Sequence, residues 1–157
     1  MRFILVDKIV ELVAGDSAKG VKCITLTNEI FNEHFPNYPI FPGSLILEGM
    51  AQLAGVLLSH TLIEEGHPYR VVALTMVKNL KFRAIIHPGD RLIYSSKIKY
   101  FYPNEYAAVV VKGEREGELC AGGELIFSFL ESPNPQFEKE MLHNLKLIIE
   151  SYKGANQ

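Results

Sequence analysis

The chain has 157 residues, 48% of them hydrophobic, with 16 basic and 18 acidic residues giving a formal charge of −2. This predicts one domain with a sizeable core, and the lack of a basic run argues against a nucleic-acid partner. The two cysteines, Cys23 and Cys120, match neither a disulfide framework nor a zinc site, so we expect free thiols. The first seven residues lack the cleavage site of a signal peptide, so we expect a cytoplasmic protein.

The N-terminal part of the chain predicts two strands followed by a long helix. Residues 3–13 and 21–27 are β-rich and flank a turn at 14–17. Pro42 and Gly43 mark a helix start, Ser44 can cap it, and the apolar pattern runs to Glu64. The apolar residues lie nearly all round this helix, which is typical of a helix enclosed by other structure. The segment is too short and too interrupted for a membrane span.

The rest of the chain predicts more strands and a last helix. The predicted strands are 70–86, 91–102, 106–112 and 118–130, with a bulge at Gly122-Gly123. In 91–102 one face is predicted to be apolar, formed by Leu92, Tyr94, Ser96, Ile98, Tyr100 and Tyr102. A helix over 136–152 should dock by a face formed by Phe137, Met141, Leu145, Ile148 and Tyr152. The order predicts an α+β protein in which an antiparallel sheet wraps around a central apolar helix.

A narrow polar stripe follows the central helix. At about 100° per residue, its members fall within an arc of roughly 80°; they are Ser44, Glu48, Gln52, Gly55 and Ser59. Most such stripes are the solvated edge of an amphipathic helix. Glu48, however, is the only formally charged residue between Phe35 and Glu64. Burial among apolar neighbours would favour its protonated form, which is a general acid.

A proline-braced loop carries the other candidate catalytic residue. His34 precedes Pro36 and Pro39, which hold the loop extended and restrict where the imidazole points. A lone loop histidine is more often a surface residue without a role. Here the loop leads into a helix whose first amides can hold an anion and which carries Glu48. A base, an acid and an oxyanion site are therefore predicted on one segment, and the other four histidines are interpreted as surface or turn residues.

These residues resemble the signature of a known family. The segment has His34-Phe35-Pro36, then Pro42-Gly43, then Glu48 fourteen residues after His34, then Ala51-Gln52. In this it resembles the 3-hydroxyacyl-acyl-carrier-protein dehydratases of the FabZ type, and Glu48 resembles the non-isomerising branch. Residues 5–7 and 82–90 also resemble family segments, so the resemblance spans residues 3 to about 130.

The resemblance implies a hot-dog fold and a specific site. Residues 1–131 would form the hot-dog domain, and 132–157 an additional helical extension packed on it. His34 would be the base and Glu48 the acid, Gly43 would bind the thioester oxygen, and Phe35, Pro42 and Gln52 would contact substrate. No metal or organic cofactor is implied. The substrate would be an acyl-carrier-protein or coenzyme A thioester, held in an apolar tunnel of a homodimer, or a higher assembly, whose subunits share each site.

The chain departs from the family pattern beside the base. Glu33 stands where the family usually has glycine, and Asn37 replaces another common glycine but tolerates left-handed backbone well. Two other functions therefore stay open. One is a hot-dog thioesterase, in which an acid on the same helix activates water. The other is a catalytically silent subunit that binds acyl chains or the carrier protein, in which Glu33 has spoiled the base.

Overall fold

The computed structural model describes residues 3–157. Met1 and Arg2, which are part of the segment predicted not to be a signal peptide, lie outside the described residues. The described chain forms one sheet and two α-helices, with a short 3-10 helix at Glu29–Asn32. The strands are β1 Lys8–Val13, β2 Ser17–Cys23, β3 Val71–Phe82, β4 Arg91–Tyr102, β5 Tyr106–Arg115 and β6 Glu118–Leu130, and the helices are α1 Gly43–Glu64 and α2 Pro135–Ala155.

The six strands of residues 3–157 form an antiparallel sheet in the order β1-β2-β4-β5-β6-β3. Helix α1 packs on its concave face and contacts every strand, so the core lies between this helix and the sheet. The prediction of an α+β protein with an antiparallel sheet wrapped around a central helix is confirmed.

Helix α1 is buried along most of its length but not all round. Met50, Leu53 and Leu57 have no exposed surface, because they face the sheet. The helix is long and apolar enough to cross a membrane, yet most of its apolar window is buried in this fold, as expected of a core helix. The prediction of a helix enclosed by other structure is confirmed on the side that faces the sheet, whereas the residues of the polar stripe all keep some exposure.

The start of α1 differs from the prediction in its cap. Pro42 is the N-cap residue and makes no side-chain capping bond, and Ser44 lies inside the first turn. Pro42 still suits this position, because its extended backbone (φ −59°, ψ 135°) lets the chain enter the helix directly. The predicted cap by Ser44 is therefore wrong.

The first two strands are displaced from their predicted bounds. Residues 3–7 do not join the sheet at once, because the side chain of Gln52 on α1 bonds the backbone of Phe3 and Leu5. Strand β2 begins at Ser17 rather than residue 21, since it pairs along its length with both β1 and β4. After Cys23 the chain leaves the sheet, and Ile24 pairs with the turn at Gly89 and Asp90.

Bulges account for the other differences. An extra residue in β4 at Lys99 shifts its register against β5, so Tyr100 and Tyr102 are exposed and Phe101 turns inward against Phe129. The predicted inward face was therefore wrong beyond Ile98. The bulge predicted at Gly122-Gly123 does occur at this point of the sheet.

The extra residue of that bulge is on β3 rather than on β6, next to Asn79 with its positive φ of 52°. Gly123 is needed opposite it, because a Cβ there would lie 2.9 Å from the Cα of Leu80.

Helix α2 begins with Asn134 as its N-cap, whose side chain accepts a hydrogen bond from the Phe137 amide at 2.8 Å. It packs against α1 and β1. Leu145 is buried, whereas Met141 and Ile148 are 41% and 42% exposed. The predicted docking face is thus only partly used, because the helix lies along the open side of α1 and leaves space beside it.

Candidate active site

The loop before α1 fixes the imidazole of His34 in one orientation. The backbone amide of His34 donates to the Ile30 carbonyl at 2.9 Å, which ties it to the short 3-10 helix. Its ring Nδ1 lies 2.8 Å from the Ile40 carbonyl oxygen. A carbonyl oxygen can only accept, so Nδ1 must carry the hydrogen and Nε2 of the neutral ring has the free lone pair. The half-buried ring can therefore accept a proton at Nε2.

The turn after His34 holds this loop in shape. Phe35 and Tyr38 exchange backbone hydrogen bonds of 3.1 and 2.9 Å, and Asn37 between them has φ 65°. This left-handed backbone is the conformation expected at Asn37. The exposed Phe35 ring stacks on the His34 ring with centroids 4.2 Å apart, and the peptide bond joining the two residues is cis. Phe35 therefore covers one face of the imidazole.

Glu33 does not distort the loop. It ends the 3-10 helix with φ −117° and ψ −28°, an ordinary backbone conformation for a residue with a side chain. Its side chain is exposed. The geometry of the His34 loop is therefore compatible with Glu33, although glycine is usual at this position in the family that the segment resembles.

A second histidine supports the loop. His87, which the sequence interpretation assigned to the surface or a turn, begins the turn at residues 87–90; it is half-buried, and its Nδ1 donates to the Pro39 carbonyl at 3.0 Å. The next loop residues are held as well, since the Phe41 amide donates to the Ile86 carbonyl at 2.8 Å. Nothing in the spacing of His87 indicates this role, because its partner is a backbone carbonyl 48 residues away.

Arg115 fixes the segment that contains His87. Its guanidinium donates to the Asp90 carboxylate at 3.0 Å and to the Ile85 carbonyl at 3.1 Å. The hydrogen bond to Asp90, followed by one to the Glu118 carboxylate at 3.0 Å, raises the pKa of the guanidinium. The loop of His34 is therefore held by the 3-10 helix before it and by the segment 83–90.

Glu48 lies on the open stripe of α1 and is partly buried. Its Oε1 accepts a hydrogen bond of 3.2 Å from Nε2 of Gln52, one turn further along. The same Gln52 amide donates to the Phe3 carbonyl at 3.1 Å, and its Oε1 accepts from the Leu5 amide at 2.9 Å. These three hydrogen bonds fix the side-chain amide of Gln52, which therefore positions the carboxyl group of Glu48.

Gly43 and Pro42 form the entry to α1. As the first helical residue, Gly43 has an amide without an acceptor inside the helix. A Cβ at this position would lie 3.1 Å from the Phe82 ring, so glycine lets that ring lie against the helix start. Pro42 is buried and Phe82 is 49% exposed. The Gly43 amide, with the Phe82 ring beside it, thus lies five residues before Glu48, roughly 1.4 turns of α1.

One histidine is placed differently from the sequence interpretation, which assigned it to the surface or a turn. His60 is buried on α1, and its Nδ1 has no hydrogen-bond partner within residues 3–157. Burial lowers the pKa of His60, against the opposing effect of Glu64. In the described part of the chain, no three His, Cys, Asp or Glu side chains lie together as a metal site would require.

Comparison with known proteins decides the family. The profile of the FabA-like domain matches residues 1–129. The chain belongs to the FabA-like family. It is 42% identical over 126 residues to the 3-hydroxyacyl-[acyl-carrier-protein] dehydratase FabZ of Campylobacter lari, covering 78% of this chain and 84% of that protein. The FabZ of Campylobacter jejuni is 40% identical over the same length.

Solved structures support the fold at lower identity. This chain resembles the dehydratase heterocomplex ApeI:P of Xenorhabdus doucetiae, with a TM-score of 0.68, 14% identity and 90% of each chain covered. It also resembles a Streptococcus mutans protein bound to acetyl CoA, with a TM-score of 0.60, 11% identity and coverage of 81% and 90%. The likeness to a thioesterase from Haemophilus influenzae has a TM-score of 0.61, with 9% identity and 80% of each chain covered. These likenesses concern the fold alone.

Proposed function

We propose that the chain dehydrates a 3-hydroxyacyl thioester, bound to acyl carrier protein or coenzyme A, to the trans-2-enoyl thioester in fatty-acid or related biosynthesis. The observation that carries this proposal is the orientation of His34, whose Nδ1 is occupied by the Ile40 carbonyl while Nε2 is free. The membership of the family and the FabZ relatives at 40–42% identity support the same reaction.

The reaction removes water across C2 and C3. Nε2 of His34 takes the C2 proton, and the protonated carboxyl of Glu48 gives its proton to the leaving C3 hydroxyl, which departs as water. The C2–C3 double bond forms as the C2–H and C3–O bonds break. Transfer of the proton from the imidazolium to the carboxylate restores the starting state. The Gly43 amide donates to the thioester oxygen, where negative charge develops.

Two further residues are assigned to substrate contact, and a third orients the acid. Phe35, stacked on His34, and Pro42, beside Gly43, form apolar walls near the reacting carbons. Gln52 acts on the substrate through Glu48, which it orients by the hydrogen bond of 3.2 Å. Residues 1–131 form the hot-dog domain of this enzyme and residues 132–157 its extension, and the site of action is the cytoplasm.

The working enzyme is a homodimer whose subunits share each active site, with a larger assembly as a further possibility. Strand β3 supports this, because it is an edge strand of 12 residues whose outer edge pairs with no other strand of residues 3–157. It exposes Met76 at 54% and Val77 at 40%. A long, apolar, unpaired edge readily pairs with another chain.

The experiment that tests the reaction incubates the protein with 3-hydroxyacyl thioesters and follows enoyl product and free thiol separately. Enoyl product supports the dehydratase. Free thiol without enoyl product would show a thioesterase, and binding without either product would show a silent subunit. These last two outcomes overturn the proposal.

Variants then assign the roles. Removal of a general acid or base costs typically 10²–10⁴-fold in rate, so His34→Ala and Glu48→Gln should each lose about that much. His34→Asn is the sharper variant, because its amide can still donate to Ile40 while the proton acceptor is gone. Glu64→Gln, an exposed carboxylate on the same helix, is the matched control and should keep the full rate.

Mixing the two inactive variants tests the shared site. If His34 and Glu48 of one site come from different subunits, a heterodimer of His34→Ala and Glu48→Gln has one intact site. Random exchange makes half of the dimers heterodimers, so about one quarter of the wild-type activity should return. Confirmed exchange of subunits without any regained activity would place both residues in one chain.

A further inference from the structure

A continuous apolar groove lies between α2 and the open side of α1. It consists of two adjoining hollows of 520 and 240 Å³, whose linings share Gln52, Val56 and Ile148. Residues 6–9 line one end of the groove, and residues 71–72 at the start of β3 line the other. The groove therefore extends across the molecule as far as the edge strand β3.

Helix α2 leaves apolar side chains uncovered along this groove. Leu145 is buried and fixes the helix to the core, but Met141, Leu147 and Ile148 are 41%, 51% and 42% exposed and line the groove. A helix that faces solvent would have polar residues at these positions. This side of α2 is therefore suited to contact with another apolar surface.

The uncovered apolar surface continues from the groove along the concave face of β3. Val72 lines the groove. Leu74 and Val77 lie further along the strand on the concave face, since their partners on β6 are buried in the core. They are nevertheless 36% and 40% exposed, because the outer edge of β3 pairs with no strand of the described chain. The groove is thus continuous with the edge that is proposed above to pair in the homodimer.

A second apolar surface, which we call the loop face, lies around the start of α1. Its four side chains are each about half exposed; they are Phe35 (50%), Tyr38 (57%), Phe82 (49%) and Ile85 (52%). The Tyr38 ring packs edge-on against His87, and the Phe82 ring lies against Gly43. The chain therefore has two separate apolar surfaces, an open groove and a loop face with fixed rings.

A twofold axis through β3 brings these two surfaces together. Two copies of one strand that pair antiparallel about a twofold axis place the start of each strand beside the end of the other. With β3 paired over its full length, Val71 lies opposite Phe82 of the partner subunit. A register shift of one residue moves the partner by only about 3.4 Å. The loop face of one subunit therefore lies at the β3 end of the groove of the other.

The charges of the groove favour an uncharged occupant. Its charged residues are Asp7 and Lys8, and Asp7 already accepts hydrogen bonds from the Lys22 ammonium at 2.9 Å and the Cys23 amide at 2.7 Å. A charged partner would thus find little to bind. The loop face, which consists of aromatic and aliphatic side chains, has the matching chemistry.

We propose that the groove beside α2 binds the loop face of a second copy of this chain, so that α2 extends the dimer interface. The inference rests on the homodimer of the proposed function, and it adds to that dimer a contact from outside residues 1–129, which match the family. The twofold axis repeats the contact, so each α2 supports the loop that carries His34 of the partner subunit. The loop keeps its shape through contacts within its own subunit, so α2 affects dimer stability rather than kcat.

The first experiment measures the dissociation constant of the dimer by sedimentation velocity over a range of protein concentrations. Met141→Glu places a charge in the groove, and His143→Glu places the same charge at an exposed position about 200° round the helix. Both positions are exposed in the single chain, so both variants should keep the wild-type circular dichroism spectrum.

The expected difference follows from the burial of Met141. Full burial of a methionine side chain contributes roughly 10–150-fold to an equilibrium constant, and the twofold axis uses the 41% exposed part of Met141 twice. Met141→Glu should therefore raise the dissociation constant at least about tenfold, whereas His143→Glu should leave it within about twofold. At protein concentrations where each variant is dimeric, kcat should equal that of the wild type.

The second experiment identifies the surface that covers the groove. The photoreactive residue p-benzoylphenylalanine replaces Met141, or His143 as the control, and subunits labelled with heavy isotopes are mixed with unlabelled ones. The labels distinguish crosslinks between subunits from crosslinks within one chain. Mass spectrometry should find position 141 joined to residues 33–40 or 81–87 of the other subunit, and position 143 joined to neither.

Three results would overturn the inference. They are crosslinks from position 141 only within its own chain or to another α2, equal dissociation constants of Met141→Glu and His143→Glu, and a lower kcat of Met141→Glu when it is fully dimeric. A wild type that stays monomeric at every concentration would reject the homodimer and this inference together. Neither experiment depends on turnover for its binding result, so the dehydratase proposal stands or fails separately by the enoyl assay.

Discussion

Gly49 lets α1 approach the sheet closely. A Cβ added there would lie 2.6 Å from Cε2 and from the hydroxyl oxygen of Tyr94, whose side chain has no exposed surface. Contacts this short are not tolerated, so Gly49→Ala must move α1 away from β4. Glu48 is the neighbouring residue, and its carboxylate would move with the helix.

The magnitude follows from a comparison with Gly55→Ala. Replacing glycine by alanine inside a helix gains about 1 kcal/mol at either position. A Cβ at Gly55 meets nothing within 4 Å, so this variant should be more stable than the wild type. Overpacking a buried site costs about 1–3 kcal/mol. Gly49→Ala should therefore be less stable than Gly55→Ala by about 1–3 kcal/mol and should lose more of its kcat.

Urea unfolding followed by circular dichroism measures this difference, with both variants at one protein concentration because an oligomer makes stability concentration-dependent. The difference between the two variants removes the helix-propensity gain that they share. Equal unfolding free energies would refute the reasoning, since they would mean that α1 and β4 separate without cost.

Three other side chains give predictions from their burial and partners. The Tyr94 hydroxyl is buried without a hydrogen-bond partner in the described chain, so Tyr94→Phe should be neutral or more stable by up to about 1 kcal/mol in urea unfolding, not less stable. Burial lowers the pKa of His60 below its ordinary 6.5, so the unfolded chain takes up the proton first and the unfolding free energy falls as the pH drops below about 6.5. His60→Gln should flatten that slope between about pH 7.5 and 5.5, and an unchanged slope would contradict the assignment. His87→Phe loses the hydrogen bond to Pro39 and should lower kcat about tenfold with KM little changed; His87→Asn should recover part of it, and no effect of either variant would exclude a positioning role.

The regular parts of the fold could be predicted because their patterns are local. Strands β4 and β6 have the predicted bounds, and α1 begins within a residue of its predicted start, since long apolar patterns and flanking turns define them. The bounds of β1 and β2 could not be predicted in the same way. They depend on Gln52, which bonds the backbone of residues 3–5 from another element, and on strand partners distant in sequence.

The candidate site shows the same division. The spacing of His34, Gly43 and Glu48 is a property of one continuous segment, so the sequence is sufficient to select these residues. The supports of that segment are not continuous with it. His87 and Arg115 act through backbone carbonyls and carboxylates that only the folded chain brings near, and the bulge at Lys99 reverses the face of β4 without a signal in the residue pattern.

Helix α2 lies outside residues 1–129, which match the family, and apart from the residues proposed for the chemistry. It lies beside the far half of the polar stripe, where Gln52, Gly55 and Ser59 line the space between α1 and α2. Glu48 and Gly43, in the near half, are one and more turns away from that contact. The loop that holds His34 is fixed by separate contacts to Ile30, Ile40 and the segment 83–90. Changes in α2 should therefore leave the geometry of that loop as it is.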